Sequence, residues 1–455
     1  MAEHAHTVTL DSGRDILAEF YRCPGGAVQL PHVCKPFADP GFFRFGKQAI
    51  GYGSTSRPCP SGVDGELPDL LETLLDRGGS SLSLPFDPAE VIDNLRMEQY
   101  PQGAQSVLSS KLLSEIYYAV RPLLGDHLRN KLQRRYFWGW ENIRFPAWPV
   151  DTSVEHLHHE LLRIGMKRQG VERVPFIWFW PDGANAAAIM THDVETEIGR
   201  DFIPRLLDVD AEGGIKASYQ LVPEQRYEVP AALRDLIRSY DCEVNVHDLT
   251  HAGNLFDNRE HFRQQAQQIN HYARSFGSGG FRAACMYRNA EWLSDLSVDY
   301  DMSVPNSARL EPQRGGCCTV FPFFIGDIVE LPLTMIQDFS LFNMLRTYSS
   351  ELWGQQVEII LEQHGLMSFI VHPDYILDET ALLAYQKLLR RLAELKETKK
   401  VWLAKPGEVA RWWRERNSMR LVAEGNGFRI DGPGSERARI AYAHFDGDRI
   451  GYAFA

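Results

Sequence analysis

The sequence predicts an α/β fold: a (β/α) barrel with an α-rich N-terminal extension and a short β tail. From about residue 174, short apolar runs alternate with amphipathic stretches, a pattern typical of parallel strands joined by helices. Seven or eight such units favour a barrel over an open sheet. Residues 418–455 instead alternate polar and apolar positions between Asn-Gly, Asp-Gly and Gly-Asp turns, which predicts two or three antiparallel strands.

The individual elements follow from the apolar spacing along the chain. Strands are predicted at 176–180, 186–193, 215–221, 243–248, 281–287, 328–334, 367–373 and 400–404. Helices are predicted at 200–208, 230–240, 258–276, 289–297, 350–364, 378–397 and 406–416. In such folds the chemistry lies at the C-terminal ends of the strands.

The N-terminal 150 residues lack this alternation. Up to about residue 65 they are rich in Gly, Pro and aromatic residues, and residues 51–62 carry turn residues that predict a loop. Helices are predicted at 66–79, 87–97 and 108–135. We therefore expect three domains: an extension of unassigned function at 1–150, the barrel at 151–417 and the β tail at 418–455.

Composition narrows the class of protein. The 455 residues include 48 Lys and Arg against 60 Asp and Glu, for a net charge of −12, which disfavours nucleic acid and anionic membranes as partners. No apolar run is long enough for a transmembrane helix, and the start lacks the pattern of a signal peptide. The seven cysteines form no Cys-x-x-Cys pair, which favours reduced thiols and a cytoplasmic protein. The oligomeric state is not specified by these features.

Chemically active side chains stand at four predicted strand ends. Asp193 and Glu195 follow one apolar strand and share a face, because the side-chain period of a strand is two. His247 and His251 follow another, and four-residue spacing puts both imidazoles on one side of a helical turn. Arg282 enters a third apolar run from a Gly-rich turn, and a buried guanidinium needs a carboxylate partner.

His372 ends the fourth of these strands, directly before Pro373. Taken singly, each position also has a structural interpretation: a helix cap for Asp193, a salt bridge for Arg282, a core histidine for His372. Taken together, they place one carboxylate and two imidazoles where a catalytic zinc with an open water position would be held. A second carboxylate and a third histidine remain as base and acid.

This order of motifs resembles the polysaccharide deacetylase family, also called the NodB-homology or carbohydrate esterase family 4 fold. The resemblance covers about residues 175–417. The family's Thr-Phe-Asp-Asp is similar to Thr191–Glu195, its His-Ser/Thr-x-x-His to His247–His251, and its Arg motif to Arg282–Tyr287. Its apolar strand closing on His is similar to Ile370–His372, and further matches are Tyr300–Val304, Glu330–Pro332 and Val401–Ala404.

The resemblance implies a distorted (β/α) barrel of the NodB type and a function. The protein would be a metal-dependent hydrolase that removes an acetyl group from an N-acetylated or O-acetylated sugar, in glycan or surface-polysaccharide biosynthesis. The substrate would be a carbohydrate or sugar nucleotide. The cofactor would be one divalent ion, Zn²⁺ foremost, with Co²⁺, Ni²⁺, Mn²⁺ or Fe²⁺ as alternatives.

The resemblance also implies residue roles. Glu195, His247 and His251 would hold the metal. Asp193 would be the base, Arg282 would hold it ionised, and His372 would protonate the leaving group. Tyr287 would lie at the substrate, beside a backbone N–H that stabilises the oxyanion.

The chain departs from the family pattern in ways that keep alternatives open. Val194 replaces the second Asp of the first motif, so the roles of Asp193 and Glu195 are interchangeable at this stage. The family's Asp-x-x-x-Trp has no clear match, which leaves Asp374 as the candidate to orient His372. His192 replaces the usual Phe, and we expect it in the core. A metal-free C–N hydrolase and an inactive glycan-binding protein are the rival functions.

Overall fold

The computed structural model describes residues 14–34, 38–72, 83–102, 135 and 137–454. The chain forms two compact units. One comprises Met1–Pro101, Thr152–Asp182 and Glu415–Ala455, and the other comprises Gln102–Asp151 and Gly183–Arg414. The predicted helix at 108–135, apart from its last residue, and the second half of the one at 66–79 lie outside the described residues. The domain boundaries after residues 150 and 417 stay predictions.

The helices and strands are numbered here in chain order. The helices are α1 Ile16–Tyr21, α2 Pro88–Arg96, α3 Ser153–Gln169, α4 Glu197–Glu212, α5 Ala231–Ser239, α6 Arg259–Phe276, α7 Ala290–Leu293, α8 Glu351–Glu362, α9 Glu379–Lys399 and α10 Pro406–Ser418. The strands are β1 His32–Val33, β2 Ala38–Phe45, β3 Ala49–Thr55, β4 Ser83–Leu84, β5 Arg173–Ile177, β6 Ala186–Val194, β7 Ser218–Leu221, β8 Glu243–His247, β9 Gly280–Arg282, β10 Tyr300–Asp301, β11 Phe323–Ile325, β12 Ile328–Glu330, β13 Leu366–Ile370, β14 Val401–Leu403, β15 Arg420–Glu424, β16 Gly427–Asp431, β17 Ile440–Asp446 and β18 Arg449–Phe454.

The second unit is built on a nine-stranded sheet. Its order is β11-β12-β10-β9-β8-β7-β6-β13, and β14 also pairs with β6. Only the β11–β12 pair is antiparallel, and the other neighbours are parallel. Ala187 and Ala188 of β6 pair with both β13 and β14, so these two strands lie on opposite sides of β6.

The sheet curls into a half-barrel, which confirms the predicted fold class. The segment after β12 runs from one end of the sheet to the other. Leu333 N–H donates to the carbonyl of Val304, beyond β10, and Met335 N–H donates to the carbonyl of Ser368 in β13. The two ends of the sheet therefore meet through irregular chain.

Strand β6 is the centre of this unit. All nine of its residues are buried, as expected for a parallel strand with helices outside and side chains inside the barrel. Its first half is Ala-Ala-Ala-Ile-Met and its polar residues are confined to the second half. Strands β8 and β9 also end in polar residues, His247 and Arg282, which places polar side chains at one end of the barrel.

The first unit contains a hairpin where the sequence predicted a loop. Strands β2 and β3 pair in antiparallel fashion, and the predicted loop began at Gly51, inside β3. A Cβ on Gly51 would lie 2.6 Å from the ring of Phe43, and one on Gly53 would lie 2.9 Å from Val91 of α2. The glycines are therefore strand residues that make room for an aromatic ring and a helix. This loop prediction is wrong over residues 51–55.

The tail and β5 form their own sheets in the first unit. Strands β15 and β16 form one hairpin, and β17 and β18 form another, whose β17 also pairs with β5. The strand predicted at 176–180 is thus not a barrel strand, because its partner is the tail. Among the described residues, no helix has both the length and the hydropathy needed to cross a bilayer.

Candidate active site

The C-terminal end of β6 presents two carboxylates to the barrel interior. Asp193 is the penultimate residue of the strand and is buried, and Glu195 follows the strand and is half-buried. Oδ2 of Asp193 lies 3.8 Å from Nε2 of His247. Oε1 of Glu195 lies 3.0 Å from Nε2 of His251. The two carboxylates therefore face the same pair of histidines, as their two-residue spacing predicted.

Asp193 is paired with Arg282, the last residue of β9. Arg282 Nη1 donates to Asp193 Oδ1 at 2.9 Å and to Thr191 Oγ1 at 2.7 Å, and its Nε donates to the Met302 carbonyl at 3.0 Å. Burial raises the pKa of Asp193, but the charges of Arg282 and of two histidines outweigh it and lower the pKa below its ordinary value. Asp193 is thus held as a carboxylate in a buried position.

His247 and His251 converge without a helical turn. His247 ends β8, and residues 248–251 form an irregular loop in which Asp248 and His251 adopt left-handed φ angles of 54°. The imidazole centroids are 4.8 Å apart. The predicted meeting of the two rings is right, but the predicted helical turn is wrong. The left-handed backbone is a strained feature of the kind that concentrates at functional sites.

The donor atoms of Glu195, His247 and His251 form a group that fits one metal ion. These three atoms all lie within 4.8 Å of one another. Nδ1 of His247 donates to the Arg282 carbonyl at 3.1 Å, which leaves the lone pair of Nε2 available. Nε2 of His247 is buried without a hydrogen-bond partner, and Nε2 of His251 has only the Glu195 carboxylate beside it, at 3.0 Å. Burial lowers the pKa of His247 despite the nearby Asp193, which favours the neutral, metal-binding form of its ring.

Glu195 is also suited to this position. Burial raises its pKa, but the neighbouring His251, His372 and His247 outweigh burial, so the pKa falls well below the ordinary value. Its backbone N–H donates to Asp374 Oδ2 at 3.3 Å, which fixes the chain where it leaves β6. A carboxylate beside two imidazoles is a donor set typical of zinc.

His372 stands on the other side of the two carboxylates. It lies just beyond β13, and its Nε2 is 3.6 Å from Glu195 Oε1. Its Nδ1 is 2.7 Å from Asp338 Oδ1, and its backbone N–H donates to Asp338 Oδ2 at 2.7 Å. Burial lowers the pKa of His372, but Asp338, followed by Glu195 and Asp193, outweighs burial and raises the pKa to about 10. His372 is thereby held protonated at neutral pH.

Asp338 was not predicted from the sequence. The candidate orienting residue was Asp374, but Asp374 instead accepts hydrogen bonds from the Glu195 backbone and the Thr196 hydroxyl. A signal for Asp338 was present: Phe342 follows it by four residues, which is the family's Asp-x-x-x-Trp spacing with Phe in place of Trp. A short π-helix, Ser340–Met344, starts two residues after it.

Tyr287 lies after a short 3-10 turn, Ala284–Met286. Its backbone N–H donates to the Ala284 carbonyl at 3.1 Å, and its side chain is half-buried. Met286 of this turn packs with Leu333 and Ile370, which brings the turn towards the end of β13. The role of Tyr287 at the substrate stays a prediction, and so do the roles of the other site residues.

His192 points away from the site, as expected for a core residue. Its ring is fully buried and lies near the rings of Tyr219 and Tyr385. Nδ1 is 2.7 Å from the Val371 carbonyl and Nε2 is 3.0 Å from Asp210 Oδ2. It is therefore a hydrogen-bonded core residue rather than a metal ligand.

Comparisons with known proteins give likenesses of fold over half of the chain. No family model matches the sequence, and no curated protein matches it. Similar solved structures include a putative polysaccharide deacetylase from Mycobacterium smegmatis, with 18% identity, a TM-score of 0.41, and coverage of 52% of this chain and 93% of that one. Others are the Puue allantoinase, with 12% identity, a TM-score of 0.40 and coverage of 52% and 92%, and a probable polysaccharide deacetylase from Pseudomonas aeruginosa PAO1, with 13%, 0.39, 52% and 93%.

Proposed function

We propose that this protein is a metal-dependent hydrolase that removes an acetyl group from an N-acetylated or O-acetylated sugar. One observation carries the proposal. Nε2 of His247 is buried without a hydrogen-bond partner, and it faces His251 and Glu195 with all three donor atoms within 4.8 Å of one another. Buried polar atoms are rarely left unpaired without a reason, and a divalent ion supplies one.

The residues that would hold the ion are Glu195, His247 and His251. When bound, such an ion lowers the pKa of a water molecule towards neutrality and polarises a carbonyl group. Zinc suits this donor set best, since two imidazoles and one carboxylate leave a fourth position open.

Asp193 is suited to accept the proton of the attacking water. It is buried beside the site and is kept ionised by Arg282 at 2.9 Å. The side chain of Arg282 stays beside Asp193, because its hydrogen bonds to Thr191 and to the Met302 carbonyl fix it. Asp193 is therefore ionised and in position to accept a proton from a reacting group next to it.

His372 is suited to deliver a proton to the leaving group. Its Nδ1 is bonded to Asp338, so Nε2 is the nitrogen that faces the reaction. The raised pKa keeps that nitrogen protonated at neutral pH. An amine leaves poorly without a proton, so an amide substrate needs this group more than an ester does.

The pairs Asp193–Arg282 and His372–Asp338 set opposite protonation states on the two sides of the donor group. An ionised carboxylate and a protonated imidazole flanking one centre are the base and the acid of amide hydrolysis. This division of labour is the reason to assign Glu195, and not Asp193, to the metal.

The first experiment is elemental mass spectrometry of the wild type and of His247→Ala, purified side by side without added metal. We expect about one equivalent of a divalent ion in the wild type and its loss in the variant. The matched control is His271→Ala, which removes an exposed histidine of α6 and keeps the ion. Absence of metal from the wild type, even after reconstitution, contradicts the proposal and favours a metal-free C–N hydrolase.

The second experiment measures acetate release from N-acetyl and O-acetyl sugars. His372→Ala should lower turnover of the amide more than that of the ester, while the metal content is retained. Loss of the metal along with the activity would count against His372 as the acid. Binding of glycans without acetate release would indicate an inactive glycan-binding protein.

A further inference from the structure

The replacement of the usual Phe by His192 creates a buried polar network on the helix side of β6. The network comprises His192, Asp210 of α4, Tyr219 of β7 and Tyr385 of α9. Asp210 is fully buried and its carboxylate lies 3.0 Å from His192 Nε2. It accepts hydrogen bonds from the Tyr219 hydroxyl at 3.0 Å and from the Tyr385 hydroxyl at 2.6 Å.

The tyrosines hold the Asp210 carboxylate in one place. Burial, and then the charge of Asp210, raises the pKa of Tyr219 and of Tyr385 well above the ordinary value, so both hydroxyls stay protonated and can only donate to the carboxylate. A buried polar network with all of its groups satisfied is rigid. His192 is therefore anchored on its Nε2 side.

The other nitrogen of His192 reaches the chain that carries His372. Nδ1 donates to the carbonyl of Val371 at 2.7 Å, and Val371 directly precedes His372. The β6–β13 pairing ends at Thr191 and Ile370. Beyond that pair, Val371 N–H donates to the Thr191 carbonyl at 3.0 Å.

The hydrogen bond from His192 to the Val371 carbonyl lies where the backbone pairing of β6 and β13 ends. Pro373 has no N–H to continue the pairing. The side chain of His192 supplies the next hydrogen bond between the two strand ends. Neighbouring side chains on a strand point to opposite faces. His192 therefore points to the helix side of β6, while the next residue, Asp193, points into the site.

We propose that His192 is a positioning residue, which holds the strand ends bearing Asp193 and His372 in register through its bond to the Val371 carbonyl. The catalytic part of this inference rests on the proposed function. Its structural part, that this hydrogen bond fixes the backbone at Val371 and His372, does not.

The test exploits the two nitrogens of the ring. In His192→Asn the amide nitrogen can occupy the Nδ1 position and keep the bond to Val371. In His192→Gln the amide nitrogen can occupy the Nε2 position and keep the bond to Asp210 instead. Each variant loses one hydrogen bond of the same buried residue, so the two are matched in chemistry and differ in which bond remains.

Two measurements are made on the full chain with its metal. The first is amide hydrogen exchange of Val371 and His372, which reports local opening without any substrate. The second is kcat and KM for acetate release. We expect exchange to be about tenfold faster and kcat about tenfold lower in His192→Gln, the effect of one net hydrogen bond, with KM and metal content unchanged. In His192→Asn both values should stay within about threefold of the wild type.

Two further variants keep the test decisive. His192→Phe, which restores the usual residue and removes both bonds, should behave like His192→Gln. Tyr219→Phe, which removes one donor to Asp210 but leaves both bonds of His192, should behave like His192→Asn. Equal effects of the Asn and Gln variants, or wild-type exchange in the Phe variant, overturn the proposal. A wild type without acetate release contradicts the proposed function alone, because the exchange measurements still decide the role of His192.

Discussion

Replacing Asp338 by Asn should disable the proton donor of the site at alkaline pH. The pKa of His372 is raised from 6.5 to about 10, with Asp338 as the main cause against burial. The Asn variant keeps the shape of the side chain but loses its charge. The pKa of His372 should then fall towards 6.5, because burial lowers it and only the smaller effects of Glu195 and Asp193 still raise it.

The size of the effect follows from the protonated fraction of His372. At pH 8 a histidine with a pKa of about 10 is about 99% protonated, and one with a pKa of 6.5 is about 3% protonated. The amide turnover of Asp338→Asn at pH 8 should therefore be lower than that of the wild type by up to about 30-fold. Near pH 5.5, where both forms of the enzyme are largely protonated, the two should approach each other.

The assay is the dependence of kcat on pH between 5.5 and 10, with both proteins loaded with the same metal. The ion acts on His372 in both proteins, so the comparison isolates Asp338. Asp241→Asn is the control, since it makes the same chemical change at an exposed carboxylate that pairs with Lys216 and Lys405. An Asp338→Asn variant whose alkaline limb coincides with that of the wild type would refute the assignment of His372 as the acid.

Three further outcomes follow from the same contacts. Because the folded-state pKa of His372 is raised, the stability that its pair with Asp338 provides is fully present below pH 6.5 and is lost as the pH rises through about 10; urea titrations of the wild type and Asp338→Asn should converge over that window. Burial raises the pKa of Glu311 to about 7, so ionisation of this carboxyl destabilises the folded state. Glu311→Gln should increase the free energy of unfolding by up to about 3 kcal/mol above pH 7 and leave it unchanged near pH 4. An equal increase at both pH values would contradict this. Arg226 donates to the carbonyls of Thr250 and His251 at 3.1 and 2.6 Å. Arg226→Ala should weaken metal binding about tenfold in a chelator competition. An unchanged affinity would show that the loop carrying His251 keeps its conformation without Arg226.

The barrel could be predicted from the sequence because its signal is local. Apolar runs such as Ala187–Met190 and Phe369–Val371 are bounded by polar residues, and each predicts a strand whose end carries chemistry. Position within the strand then predicted which face each carboxylate takes. The meeting of Asp193, Glu195, His247 and Arg282 therefore followed from spacing and strand order alone.

The parts that could not be predicted depend on contacts between distant segments. Asp338 follows no regular strand, and only its two hydrogen bonds to His372 show that it orients that histidine. The His251 loop relies on left-handed backbone that residue type alone does not predict. Strand β3 contains two glycines, and its pairing becomes intelligible only when Phe43 and Val91 are seen to occupy the space that side chains would fill.

The pairing of β5 with β17 has a consequence for biosynthesis. Residue 177 ends β5 and residue 440 begins β17, a separation of 440 − 177 = 263 residues. At about 5–20 residues per second, a ribosome needs roughly 13–50 s to supply that partner, and during this time β5 is a nascent strand with an open edge. Pro175 in the middle of β5 removes one donor from the opposite edge, because Trp178 N–H donates to the Arg439 carbonyl and the donors of a strand alternate between its two edges. A proline at this place disfavours pairing of that uncovered edge with another chain and leaves the edge that pairs with β17, where Tyr442 lies opposite Pro175, intact.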